Sequence, residues 1–476
     1  MKYFLTLIQL WVGFLSICAS YPKANIWIIP SVESPQVYRN YAQTSKVHLE
    51  MARGEVEHIQ LVFPSKVNEE YRFTFDRYLK GIQISARELK KMNGYYDALV
   101  PFKNQLKCTD TLTAVWITVQ CPSRVPVGKY HQTIKIEGSK HFTIQLDYNV
   151  HHTTIPLKSS IPITVGVENR CMTECLNDKE ADKERQRWVD FVLSYRMTPV
   201  FGTQITPERW QYEHSFSPWA WNDKRSIRLL NDRRYSCYML PFFTLSENEL
   251  ASLLCNIQKK GKLKESLFYI WDEPAYMEDY EQIKRKVNII RKYASDARIL
   301  TTFFCGPRNG PRKGDLYAVF DYLKHHIHVA TISLAPCKGN EEEVQHIRYK
   351  VPEGIDWWSY VCWQPGGNEP NFLLQMKGIQ QRAIMWRTWK NGSQGFLYWN
   401  CNIYHKRNPF TYITDMPHGD GILIYPGDIL GCKGPIASAR LERWRDGAEE
   451  MELLRLVEKN YSKEKADTLL NIVYSS

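Results

Sequence analysis

Past the first 17 residues the sequence has no apolar run of membrane-spanning length without charges, which excludes repeated helical passage through a bilayer. It also has no long basic tract and no nucleic-acid motif. The formal charge of +11 is dispersed in short clusters such as Lys259-Lys260 and Arg233-Arg234. A solvated basic surface accounts for it, and nucleic acid is not an expected partner. There is no internal repeat and no low-complexity tract. Cys171 and Cys175 lack a second pair at zinc spacing, and His325, His326 and His328 straddle a predicted helix end and strand start, where their side chains diverge. No metal site is expected.

The N-terminus reads as an export signal. Lys2 is followed by an apolar stretch from Phe4 to Ile17, and Cys18-Ala19-Ser20 supplies small residues for cleavage after Ser20. A secreted, periplasmic or cell-surface protein is expected. Ile17 before Cys18 fits a lipoprotein box poorly, so release is favoured over lipid anchoring. Twelve cysteines less Cys18 leave an odd 11. In an exported chain, Cys108 with Cys121 and Cys171 with Cys175 are disulfide candidates. Cys237, Cys255, Cys305, Cys337, Cys362 and Cys401 lie in or beside apolar runs and read as buried thiols. Asn391-Gly392-Ser393 and Asn460-Tyr461-Ser462 are glycosylation sequons, relevant in a eukaryotic source.

A length of 476 residues at 43% hydrophobic content suffices for two or three domains. Aromatics make up 13%, with 15 Trp, which suits core packing and also stacking on sugar rings. Residues 21–155 are strand-like, with β-branched runs such as Val115–Val119 and Thr133–Ile136 separated by Pro and Gly, and predict a β-sandwich. The prolines between Thr153 and Pro162 mark a boundary. From 156 to 476 short apolar runs alternate with amphipathic helices. The runs are Ile161–Val167, Pro199–Gly202, Tyr238–Phe243, Leu267–Trp271, Arg298–Phe304, His328–Leu334, Trp357–Trp363 and Phe396–Asn402. Tyr280, Ile283, Val287 and Ile290 form one helical stripe. Ser246 with Glu249 is a capping box. A long helix is predicted over Phe372–Trp389 and a last one over about Ala437–Lys459. Eight strands with intervening helices predict a (β/α)8 TIM-like barrel, so the chain is a multidomain α/β protein with an all-β domain in front.

The fourth strand ends in Trp271-Asp272-Glu273-Pro274. C-terminal strand ends form the active-site rim of such a barrel, so both acids face a cleft. Adjacent strand residues point to opposite faces. The pair reaches one ligand only where the strand is already bending, and Pro274 is expected to hold Glu273 extended. The bland alternative is that Asp-Glu-Pro merely opens the next helix, where acids favour the dipole. Glycoside cleavage needs a proton donor at the leaving oxygen and a group that traps the anomeric cation. Two neighbouring acids cannot flank the bond from opposite sides. They suffice if the 2-acetamido oxygen of the substrate is itself the nucleophile.

Several further segments accompany this pair: Asp356-Trp357-Trp358-Ser359-Tyr360-Val361-Cys362; Trp386-Arg387-Thr388-Trp389-Lys390-Asn391-Gly392 leading to Gly395–Asn400; Gly419–Gly427; and Ser438-Ala439-Arg440-Leu441-Glu442-Arg443-Trp444-Arg445-Asp446-Gly447. With Ala52-Arg53-Gly54-Glu55 and the turn at Pro126, they resemble glycoside hydrolase family 123, most strongly from about Ile355 to Glu450. The resemblance implies a retaining β-N-acetylgalactosaminidase without metal or cofactor, acting on glycolipid or glycoprotein glycans. It implies Glu273 as general acid/base and Asp272 as the residue orienting the acetamido group of an oxazolinium intermediate.

Among other candidates, Tyr360 can offer its hydroxyl to the acetamido carbonyl, or be a buried tyrosine bonded to backbone. Trp358, Trp363 and Trp399 are candidate sugar platforms or core. Asn400 and Asn402 share a face of strand eight and suit sugar hydroxyls. Asp420 contacts the glycan or, preferably, caps a turn. Glu168 can support the site from behind. Two alternatives stand beside the lead: a hexosaminidase preferring N-acetylglucosamine, and a non-catalytic glycan-binding protein on the same fold.

Overall fold

The structure, a computed structural model, describes residues 26–76, 81–206, 211–335, 346–412 and 417–474. The expected export segment, residues 1–20, and Cys337 lie outside them. The chain divides into two compact units: one runs to Leu157 and adds Leu374–Trp386 and the chain from Gly427 on; the other comprises Lys158–Leu373 and Arg387–Pro426.

In the first unit two five-stranded sheets face each other. Pairing is antiparallel except that Lys46–Arg53 runs parallel to His141–Thr154. In His141–Thr154 the two-residue period of a strand is plain: Phe142, Ile144, Leu146, Tyr148 and Val150 are buried while His141, Thr143, Gln145, Asp147 and Asn149 between them are partly or fully exposed. Leu112–Gln120, in the other sheet, is buried on both faces. Its outer side is covered by the 22-residue helix Ala439–Asn460. The Val56 N–H donates to Glu449 Oε2 of that helix at 2.8 Å.

That helix buries charge as well as apolar surface. Arg440, 1% exposed, donates from Nε and Nη2 to Asp97 Oδ2 at 3.0 and 2.9 Å. His58 stands 3.2 Å from both Glu442 and Asp446. Arg382 reaches Asp446 and Glu450. Buried charges survive only when paired and hydrogen-bonded. The densely charged Ser438–Gly447 block is therefore a packing element of this unit.

In the second unit a nine-stranded sheet curls into a nearly closed barrel. Eight strands run parallel: Ile163–Glu168, Thr198–Thr206, Tyr238–Met239, Ser266–Trp271, Arg298–Phe303, Val329–Ser333, Asp356–Val361 and Phe396–Tyr398. These are the eight strands expected. A hairpin strand, Gln211–Ser215, is added antiparallel to strand two. Just beyond it the Phe216 N–H donates to the Met239 carbonyl at 2.6 Å, carrying the ring toward strand three. Val200, Met239, Leu267, Leu300, Val329, Trp358 and Leu397 pack together as the barrel interior.

Helix Met277–Arg291 buries the whole stripe Tyr280, Ile283, Val287 and Ile290 against this sheet unit. Ser246 and Glu249 form the expected capping box of Glu247–Lys259. Helix Asp178–Ser194 buries Trp188, Val189, Val192 and Leu193.

Three expectations are corrected. Phe372–Trp389 is not one helix: only Gly378–Arg382 and Ile384–Lys390 are helical. Asn371 holds the preceding stretch as a loop by donating to the carbonyls of Cys362 and Pro365 at 2.9 and 2.8 Å. The candidate disulfides are absent, Cys108, Cys121, Cys171 and Cys175 being free thiols. Cys171 is buried inside the short helix Asn169–Thr173, while Cys175 is exposed beyond its end. Of the thiols read as buried, Cys237 and Cys401 are so, Cys305 and Cys362 are half-buried, and Cys255 is exposed. No helix among the described residues is long and apolar enough to cross a membrane.

Candidate active site

Strand four carries the two acids to the barrel mouth through a local irregularity. Tyr269 pairs with Leu300 of strand five, yet Trp271 pairs with Thr301, so three residues face two. Such a bulge shifts side-chain parity by one. Asp272 thereby falls on the inner face, which Tyr269 and Thr302 also share. Asp272 Oδ1 accepts from the Tyr269 hydroxyl and from the Thr302 hydroxyl, each at 2.7 Å.

Glu273 does not adopt the extended conformation expected before Pro274. Its φ is +45°, in the left-handed region that non-glycine residues rarely occupy. A tertiary contact outweighs the local preference: the Glu273 N–H donates to Thr302 Oγ1 at 3.0 Å. The turn swings the glutamate back over the mouth, where Oε1 accepts from the Tyr360 hydroxyl.

One oxygen of each acid is thus tied, while Asp272 Oδ2 and Glu273 Oε2 take no hydrogen bond from a described residue. Both residues remain open to solvent along the cleft. The Glu273 carboxyl is nonetheless pushed up to about 7, first by burial among its neighbours and then by the charge of Asp272. The Tyr360 hydrogen bond and Arg308 oppose that rise. Burial and the adjacent glutamate hold the Tyr360 phenol well above its ordinary range, so it acts as a donor.

A cavity adjoins Asp272, with about 730 Å³ of empty space, counting the part open to solvent. Its wall includes Tyr212, His214, Tyr269, Trp271, Trp399 and Asn400. The His214 ring lies flat on Tyr269, centroids 4.3 Å apart and planes 8° apart. Burial lowers His214 to about 3, so it is neutral. The stack braces the tyrosine whose hydroxyl orients Asp272. Trp399 is half-buried, with Nε1–H donating to Asp420 Oδ1 at 3.1 Å. Asp420 also accepts from the Tyr398 hydroxyl at 3.2 Å. A Cβ on Gly421 would stand 2.6 Å from the Trp399 ring, so a bare backbone closes behind it. Asp420 is a brace for Trp399.

Of the residues singled out from the sequence, Asp272, Glu273, Tyr360, Trp399 and Asn400 meet at this mouth. Two do not. Trp358 is 2% exposed and belongs to the barrel interior, one inward position below Tyr360. A Cβ on Gly395 would come within 2.4 Å of its ring, so it is packed core rather than a sugar platform. Asn402 is fully buried and clamps the Glu168 backbone, accepting its N–H at 2.8 Å and donating to its carbonyl at 3.1 Å. It binds the end of strand one and not a ligand. Trp363 is 40% exposed just past strand seven. Glu168 is buried at the end of strand one, its carboxyl pushed up to about 7 by burial.

Sequence reasoning missed Tyr269, Thr302 and His214. Tyr269 and Thr302 stand at inward positions near the ends of strands four and five, a signal of placement only. Nothing local marked His214.

Comparison with known proteins identifies the family. The family description "Glycoside hydrolase 123, catalytic domain" matches residues 183–457, more than half of the chain, including both acids. A family 123 glycoside hydrolase from Clostridium perfringens, described for glycolipid glycan hydrolysis, is similar in structure. Its TM-score is 0.68 at 13% identity, covering 94% of this chain and 92% of that one. A Bacteroides ovatus GH5 xyloglucanase reaches a TM-score of 0.27 at 10% identity, covering 85% and 98%, too loose a likeness to carry an argument. No protein of curated function matches. With the catalytic-domain match covering seven of the eight parallel barrel strands and the paired acids, the chain is a glycoside hydrolase and belongs to glycoside hydrolase family 123.

Proposed function

We propose that the protein is a retaining exo-β-N-acetylgalactosaminidase that removes terminal N-acetylgalactosamine from glycans by substrate-assisted catalysis. One observation carries this reading: two consecutive solvent-exposed acids converge at the barrel mouth, each with one oxygen tied and the other taking no hydrogen bond from a described residue.

The division of labour follows from their surroundings. Glu273, raised to about 7, holds a proton near neutrality and donates it to the glycosidic oxygen. Because Tyr360 occupies Oε1, that proton sits on Oε2. As the bond from the anomeric carbon to the leaving oxygen breaks, the acetamido carbonyl oxygen attacks the same carbon and closes an oxazolinium ring. Asp272 Oδ2 accepts the ring N–H and balances its positive charge. In the second half Glu273, now a carboxylate, takes a proton from water as the water attacks the anomeric carbon. The ring opens, the acid is restored, and two inversions give net retention.

Trp399 offers a flat apolar face for the sugar and Asn400 a polar edge beside it. The Clostridium perfringens relative described for glycolipid glycan hydrolysis supports a glycolipid glycan as substrate. The test is hydrolysis of aryl N-acetyl-β-galactosaminide against the gluco epimer and a plain galactoside. Turnover of the galactosaminide, blocked by a thiazoline resembling the cyclised intermediate, is the expected result. Equal turnover of the gluco epimer removes the galacto assignment, and rapid cleavage of the plain galactoside removes the substrate-assisted mechanism.

A further inference from the structure

We propose that Thr302 is the positioning residue that sets both acids at once, through a single hydroxyl. The inference rests on the roles given above to Asp272 and Glu273.

A threonine hydroxyl has one proton to give and lone pairs to receive. Here the proton goes to Asp272 Oδ1 at 2.7 Å, and the oxygen receives the Glu273 N–H at 3.0 Å. The Tyr269 hydroxyl lies 3.1 Å away, but its own proton also goes to Asp272. The two acids are chain neighbours that strand geometry would send to opposite faces. Bringing them together requires the bulge that turns Asp272 inward and the left-handed turn at Glu273. Thr302 holds the product of both distortions. Only a side chain that donates and accepts in nearly the same place can do so.

The location suits the task. Thr302 is 1% exposed and sits inside a regular strand paired with Thr331 on its other side. Its β-branched side chain has little rotamer freedom, so the sheet fixes the hydroxyl. Thr301 provides an internal contrast. It is equally buried on the same strand, yet its hydroxyl has no hydrogen-bond partner among the described residues. The two adjacent threonines face opposite sides of the strand, and only Thr302 reaches the acid pair.

The experiment compares Thr302→Val, Thr302→Ser and Thr301→Val with the wild-type protein on aryl N-acetyl-β-galactosaminide. It records kcat, KM, thiazoline inhibition and melting temperature. Misplacing reacting groups by about an ångström costs on the order of 10²-fold. Thr302→Val is expected to lose about that much in kcat and to bind the thiazoline more weakly, with KM little changed. Thr302→Ser is expected to recover activity to within about threefold, and Thr301→Val to stay at the wild-type rate. The proposal is overturned if Thr302→Val stays within about threefold of wild type, or if Thr302→Ser is as impaired as Thr302→Val. Should Thr302→Val fail to fold, Thr302→Cys keeps the volume with a weak donor and must show the same loss. Glu273→Gln in the same assay separates the failures. If it keeps full activity, the acid assignment is at fault; if it is inactive while Thr302→Val works normally, only the role of Thr302 is.

Discussion

The Tyr360 hydroxyl, on strand seven, donates to Glu273 Oε1, beyond the end of strand four. The bond favours the charged form of the glutamate and so opposes burial and Asp272, which together raise it to about 7. An acid that must be protonated to work loses function as it ionises. The kcat/KM profile is expected to fall as pH rises through about 7. Tyr360→Phe should move that alkaline limb to higher pH, and an unmoved limb would detach Tyr360 from the acid.

Glu273→Gln removes general acid catalysis, worth about 10²–10⁴ in rate. Its effect on stability has the opposite sign. The folded state raises the carboxyl from an ordinary 4.5 to about 7. The favourable contribution is therefore complete at acid pH and lost as pH rises through about 7. Glutamine cannot ionise, so the variant should melt higher than wild type at pH 8 and close to it at pH 5. Thermal melts at both values decide the point, and an advantage larger at pH 5 contradicts it.

Trp358 and Trp399 should separate cleanly. Trp358→Ala opens a cavity in the barrel interior and is expected to cost about 3–5 kcal/mol of stability. Trp399→Ala should instead raise KM several-fold with a smaller fall in melting temperature, since its ring faces the cavity. Denaturation and steady-state kinetics on both variants test this; a raised KM without destabilisation in Trp358→Ala would restore it to the sugar site.

The pair Arg440 and Asp97 is buried and doubly hydrogen-bonded. Asp97→Ala breaks this buried pair and is expected to cost about 3–5 kcal/mol. Replacing both by apolar residues of similar volume should recover much of it. Denaturant melts of single and double variants give the coupling energy directly.

How much of this was readable before folding follows from which forces act locally. The alternation in His141–Thr154 and the stripe through Tyr280, Ile283, Val287 and Ile290 are set by side chains a few positions apart. The sandwich, the eight barrel strands and the location of Asp272 and Glu273 at a strand end were determined by such patterns. What makes the acids a pair was not. The bulge at Trp271 and the left-handed turn at Glu273 exist because Thr302, some thirty positions away, rewards them with two hydrogen bonds. Likewise Trp358 and Trp399 look alike in a sequence, and only the closing of the barrel puts one in the core and the other at the mouth. The charged Ser438–Gly447 block shows in sequence only as a family segment, and it is the partners Asp97, His58 and Arg382 that make it a packing element. Local pattern decides which element forms, whereas burial and long-range hydrogen bonding decide what each residue in it is for.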